Sequence, residues 1–210
     1  MPYPALRASP RLVLRDFIDE DWADAHALRS DPDVARFMDH APETLEQSRV
    51  RLTGVIFHDR KRSRVAYNLA VVHRAQGRVI GWIGIGPSSR YPGEGELGFG
   101  YMPHRAYWGQ GYATEAVRTI VDFGFGALGG RRVSAWCYEE NRASARVLAK
   151  AGLRFERRYR GAEPESGRPA ECLEYALRRE EWHTAARAVT ARERDDQPAV
   201  ADRRGDQHKT

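Results

Sequence analysis

Residues Tyr107–Val117 read YWGQGYATEAV, a turn on Gly109 and Gly111 that leads into residues suited to a helix. A chain that turns and then becomes helical leaves its first backbone N–H groups without intrahelical acceptors. Those donors lie at the positive end of the helix dipole and suit a phosphate. The same residues also serve as a plain tight turn. A P-loop would require Gly-Lys-Ser or Gly-Lys-Thr, and Gly111 is followed by Tyr112. A dinucleotide fingerprint would follow the first strand and would prefer a third glycine where Thr114 stands. Both nucleotide-loop readings are therefore set aside, and the meaning of the turn depends on the elements around it.

Those elements follow from periodicity and punctuation. Arg11 to Phe17 (RLVLRDF) reads as a strand, and DEDWADAHALRSD after it as a helix with acids at its start. A second helix is expected through TLEQSRVRLTGVIFHDR, with Thr44 as its cap and Leu45, Val50, Leu52, Val55, Ile56 and Phe57 as an uneven apolar stripe. VAYNLAVVH, RVIGWIGIG and GELGFGYM are three strand-like runs with short connections, hence antiparallel neighbours. GYATEAVRTIVDFGFGALGG then reads as a helix with Ala113, Val117, Ile120, Val121 and Phe125 on one face, stopping at Gly129 and Gly130. A strand RRVSAWCY, a helix NRASARVLAKAG and two further strands, LRFERRYR and AECLEYALR, complete the order β-α-α-β-β-β-α-β-α-β-β. That order combines an antiparallel meander with one strand–helix–strand crossover, so the fold class is α+β with a mixed sheet. Trp82, Phe123, Phe125 and Trp136 are read as core.

The 210 residues, 41% apolar and 30% charged, fit one domain and its core. We expect the domain to span residues 1–184. Ala185 to Thr210 has no aromatic, leucine or isoleucine and carries charges of both signs, so it reads as a disordered tail. Without that tail the body holds 28 Lys/Arg against 24 Asp/Glu, so the net positive charge belongs to the body. The arginines are scattered among acids, which favours solubility over nucleic-acid binding as the reason for it. Cys137 and Cys172 belong to no C-x-x-C pair or Cys/His cluster, so no metal site is expected. No apolar run approaches a membrane span and no signal-peptide core opens the chain, so a cytoplasmic location is expected.

Three pieces stand in a telling order: the strand ELGFGYM, the turn WGQGYA opening a helix, and ENRASARVLAKAG after the next strand. Together they resemble the GCN5-related N-acetyltransferase (GNAT) superfamily, and most of all its ribosomal-protein acetyltransferase branch, over roughly Arg11 to Trp182. The resemblance implies a single domain whose sheet is splayed at its middle and flanked by helices, with acetyl-CoA as co-substrate. It implies that Gly109, Gln110, Gly111, Tyr112, Ala113 and Thr114 hold the pyrophosphate through backbone amides. It further implies that Phe99, Tyr101 and Met102 lend backbone to the pantetheine arm, that Asn141 contacts that arm, and that Ser144 lies near the thiol. Two departures stand out. Trp108 occupies the place of the usual Gln or Arg before the turn, and is read as packing. Leu148 occupies the place of the tyrosine that many relatives use as acid, which leaves Ser144 or a water.

Acetyl transfer from a thioester needs a neutral amine, a stabilised oxyanion and a proton route. An α-amine of pKa roughly 7.7 to 8.0 is about one-tenth neutral at pH 7, against roughly one in 2,500 for lysine. An N-terminal acceptor therefore demands less of a base. Glu96 and His104, at the two ends of the strand, are the base candidates. Because Pro103 lacks an N–H, the oxyanion donor is sought at Met102 or His104. Glu115, in the first turn of its helix, is read as structural or acceptor-lining and not as the base, and Cys137 as core. The expected activity is direct transfer of acetyl to a protein or peptide N-terminal amine. Acetylation of an aminoglycoside or polyamine, and a silent acyl-CoA-binding regulatory domain, stand as alternatives. The acyl chain length and the oligomeric state, a homodimer included, stay open at this level.

Overall fold

The computed structural model describes residues 6–38, 40–59, 64–162 and 169–183. Its strands are β1 (Arg7–Ala8), β2 (Leu12–Asp16), β3 (Tyr67–His73), β4 (Val79–Pro87), β5 (Glu96–Pro103), β6 (Arg132–Tyr138), β7 (Arg154–Ala162) and β8 (Pro169–Arg178). They form one open sheet in the order β1-β2-β3-β4-β5-β6-β8-β7. Every neighbouring pair is antiparallel except β5 and β6, the two strands joined through the glycine turn. The helices are α1 (Trp22–Arg29), α2 (Pro32–Ala35), α3 (Leu45–Asp59), α4 (Tyr112–Gly126) and α5 (Arg142–Lys150).

The expected α+β mixed sheet is present, with two additions. Strand β1 is two residues long, too short to show a period. Helix α2 starts at Asp31-Pro32-Asp33, where the Asp31 carboxylate accepts from the Asp33 N–H and Pro32 needs no partner for a missing N–H. Thr44 caps α3 as expected, and does so reciprocally: its hydroxyl accepts from the Gln47 N–H, and its own N–H donates to the Gln47 side chain. The stripe on α3 is narrower than expected. Leu52 and Ile56 are buried against the sheet, whereas Val50 and Phe57 are each 68% exposed. Trp136 is another correction: it sits mid-strand but is 47% exposed, because the sheet face it stands on is uncovered there.

The described residues up to Arg178 make up one compact unit, and a second begins at Arg179. The described part of the second, Arg179 to His183, is helical, with the Trp182 and His183 rings 4.9 Å apart. The tail expected from Ala185 to Thr210 lies outside the described residues. Among the described residues no helix is long and apolar enough to cross a membrane, and no group of three or more His, Cys, Asp or Glu is placed to hold a metal ion.

Alternation along the strands assigns the two faces of the sheet. A side chain added at Gly124 of α4 would strike Ile85 and Val133 and touch Leu97, so α4 packs on the face those residues share. The opposite face carries Ala70, Val72 and Trp82, which pack with Ala25 of α1 and with Leu52 and Ile56 of α3. Helices α4 and α5 thus lie on one side, α1 and α3 on the other. Between the two layers, β5 and β6 pair only from Glu96–Arg132 to Gly98–Ser134 and then part. Beyond that point β5 continues to pair with β4 up to Pro103, and β6 with β8 through Tyr138.

Candidate active site

The parting leaves backbone groups unpaired, and parity says which. The Glu96 carbonyl accepts from Ser88 N–H and the His104 N–H donates to Ile80, both on the β4 side. Even-numbered residues of β5 therefore turn their N–H and C=O toward β4, and Phe99 and Tyr101 turn theirs toward the gap. On β6 the Arg132 N–H points to Gly95 and the Glu139 N–H to Glu171 of the β8 side, so Trp136 and Tyr138 face the gap from across it. This alters the expectation for two residues. The amides of Met102 and His104 face β4, and the Met102 side chain is buried with Leu28 and Val34.

At the end of β5 the chain reaches the glycine turn. Gly109 and Gly111 hold φ of 75° and 82°, a left-handed backbone that glycine adopts without steric cost. Gly111 caps α4, and the first helical bond runs from the Glu115 N–H to its carbonyl. The Trp108 N–H is spent on Arg105. Among the described residues, the six consecutive amides from Gly109 to Thr114 have no acceptor. Six donors at the N-terminus of a 15-residue helix form a nest for an anion with several oxygens. Trp108 is 45% exposed and ties its indole N–H to the Pro103 carbonyl at 2.9 Å, so it braces the turn from outside the core. The Gln110 side chain donates only to Ala106, at 3.0 Å. Glu115 is structural, as expected. It accepts from the Ser9 hydroxyl (2.7 Å) and from the backbone N–H and Nε of Arg11 (2.8 and 2.7 Å). Burial alone would raise its pKa, but these bonds outweigh it and hold the carboxyl below its usual range.

Across the parting, on the α4 and α5 side, Asn141, Ser144, Tyr101 and Cys137 come together. Asn141 caps α5 by accepting from the Ser144 N–H at 3.0 Å. The Ser144 hydroxyl lies 2.8 Å from the Tyr101 hydroxyl, and also hydrogen-bonds the Cys137 thiol. Burial pushes the Tyr101 phenol far above its ordinary pKa, with Ser144 opposing. Burial likewise pushes Cys137 up to about 11, so it is a thiol and no nucleophile near neutrality. Leu148 is fully buried. The phenol on β5 was not legible as a side-chain participant, because nothing local links residues 101 and 144.

The two base candidates differ in their surroundings. Glu96 stands at the closed end of the parting, 23% exposed, with a carboxylate oxygen 3.4 Å from Arg132. His104 lies at the other end of β5, where its Nδ1 accepts from the Ala106 N–H at 3.1 Å and so caps a short 3-10 turn. On the opposite face of the sheet, a cleft of about 710 Å³ reaches the parting between Gly98, Phe99 and Gly100 on one strand and Ser134 and Trp136 on the other. Its wall continues to Trp82 of β4 and to Glu174 of β8. Glu174 is buried and anchors a network. It accepts from Arg157 (2.8 Å), Arg132 (3.1 Å) and the Tyr91 hydroxyl (2.7 Å). These bonds overcome its burial and keep it ionised below the usual carboxylate range. A nest for an anion on one face, a gap lined by free backbone and a cleft on the other face allow two molecules to meet through the sheet.

Comparisons with known proteins bear on the family and the fold. The family described as "Acetyltransferase (GNAT) domain" matches residues 11–154. The uncharacterized N-acetyltransferase YnaD of Bacillus subtilis (strain 168) is 28% identical over 173 residues, covering 82% of this chain and 96% of its own length. A solved acetyltransferase (GNAT family) from Bacillus anthracis superposes with a TM-score of 0.72 at 26% identity, over 83% of this chain and 98% of that one. A spermidine N-acetyltransferase from Vibrio cholerae, solved with CoA and spermine, shares the fold at a TM-score of 0.68 and 16% identity. It covers 83% of this chain and 99% of that one.

Proposed function

The chain belongs to the GNAT family and is an acetyltransferase; from that premise we propose that it moves acetyl directly from acetyl-CoA to a free α-amine, such as a peptide N-terminus. The observation that carries this reading is the run of six unpaired amides, Gly109 to Thr114, beside a strand whose backbone is unpaired on one side. The amides of the turn hold the pyrophosphate. Phe99 and Tyr101 offer main-chain bonds to the pantetheine arm in the manner of an added strand, with Asn141 beside it. They set the thioester at the parting, where one of their amides serves the developing oxyanion in place of Met102 or His104.

The acceptor amine enters from the cleft. Its nitrogen forms the new bond to the acetyl carbon while the carbon–sulfur bond breaks, and its surplus proton leaves through water to Glu96. Glu96 is preferred over His104, whose Nδ1 is already occupied in a cap. The Ser144 hydroxyl, held from behind by Tyr101 at 2.8 Å, hydrogen-bonds the departing thiolate, and the proton that ends on sulfur is the one the amine released to Glu96, returned through water. That pair stands in for the tyrosine absent at Leu148. A polyamine suits this cleft poorly: of the charged side chains that line it, Glu174 is already paired with two arginines, and the other is Arg90. Release of free thiol from acetyl-CoA tests the reading against a panel of short peptides and spermidine. Thiol release with peptides supports it, and turnover confined to spermidine would overturn it.

A further inference from the structure

The cleft has a composition that speaks to what carries the acceptor amine. Trp82 lies over its own strand and the next. A side chain added at Gly84 would sit 2.7 Å from its indole, and one at Gly100 would touch it at 3.6 Å. Two paired glycines, Gly84 on β4 and Gly100 on β5, thus make room for an indole laid against the sheet. Trp136 stands on the far side of the parting, 47% exposed and braced edge-on against Tyr138 at 5.3 Å. Between them the cleft is lined by the backbone of Gly98, with Ser88 beside it, and by Gly100 at the edge of the Trp82 indole. A cleft with an indole at either side fits a flat ring, which gains both burial and ring–ring contact there.

The charges add a second constraint. Glu174 is spent on Arg157, Arg132 and Tyr91. Arg90 stacks on Tyr159 at 3.9 Å and, among the described residues, pairs with no carboxylate. A cleft whose acid is neutralised and whose exposed cation is free attracts a negative group and repels an additional cation. We infer that the acceptor presents its amine on an aromatic body with an anionic group beside it, as an aromatic α-amino compound does. This rests on the acceptor entering by the cleft, as set out above.

Steady-state kinetics with C-terminally amidated dipeptides tests it, using Trp, Phe, Leu and Ser in the first position and Asp, Ala and Lys in the second. The expected kcat/KM is about tenfold higher for aromatic than for Ser first residues. Asp in the second position is expected to beat Lys severalfold. Trp136→Leu should erase the aromatic preference through KM while the acetyl-CoA Kd, read by calorimetry, stays put. Arg90→Gln should erase the preference for Asp. If Ser-first dipeptides match aromatic ones, or Trp136→Leu leaves the preference intact, the inference falls and peptide acetylation stands. If no dipeptide reacts but free phenylalanine does, the peptide acceptor falls and the inference stands; if tyramine reacts as well as phenylalanine, the anionic part of the inference falls.

Discussion

Gly111→Val tests whether the turn grips its anion by backbone. At φ of 82° a residue with a Cβ costs about 1–2 kcal/mol, and a β-branched one more. The new Cβ would also lie 3.4 Å from Arg11 Nη2, a contact without a clash, so the strain is mainly that of the backbone. If the free turn relaxes to escape it, binding must restore the left-handed geometry, and the cost appears as affinity. A loss of 1–2 kcal/mol corresponds to a Kd for CoA raised about 5- to 30-fold. If the fold holds the turn rigid, the same cost appears as a lower unfolding free energy. Calorimetric titration with CoA and urea denaturation of the same variant account for both, and their losses together should reach the strain. Gln110→Ala removes one exposed side-chain bond to Ala106, which is within about 0.5 kcal/mol, or about twofold in Kd. A Gly111→Val variant that loses neither CoA affinity nor unfolding free energy, or a Gln110→Ala variant whose Kd for CoA rises about fivefold or more, would refute the backbone grip.

Tyr101→Phe keeps the packing and removes the 2.8 Å bond to Ser144, so kcat should fall about tenfold or more with the acetyl-CoA Kd unchanged. Ser144→Ala should fall at least as far, and an unchanged rate in either would remove that residue from the mechanism. Glu174→Ala leaves Arg132 buried with one partner fewer and should cost about 3 kcal/mol or more in urea unfolding. A loss under about 1 kcal/mol would show the network to be dispensable. Asp59 is raised to about 6, first by burial and then by Asp16, with Arg64 opposing. The folded state therefore holds its proton more tightly than the unfolded state, and the contribution of this group to stability falls as pH rises from about 4 to about 6 and is level above that. Asp59→Asn should thus gain stability relative to wild type across that window; a flat difference from pH 4 to 7 would contradict the assignment.

The glycine turn was the most legible part of the chain, because two residues with φ above zero before a helix leave a local signature. The sheet order was legible from period and turn length, while β1 was too short to carry a period. Side-chain alternation gives the face on which Trp136 stands but not whether that face is covered, so it was misread as core. The same limit widened the expected stripe of α3 to Val50 and Phe57. Choosing Met102 or His104 as oxyanion donor needed the parity of β5, and parity comes from the register with β4 rather than from the strand itself. The Tyr101–Ser144 contact joins a strand to a helix 43 residues on, and no spacing rule reaches that far.

Direct transfer across the parting is the central claim, and intact-mass analysis tests it. The protein is mixed with a slight excess of acetyl-CoA, first alone and then with a Phe-first dipeptide. The expected result is an unmodified protein throughout, with free thiol and acetylated dipeptide formed together only after the amine is added. An acetylated protein that forms without amine and disappears on its addition would contradict the account, because the acetyl group would then pass through a residue of the chain.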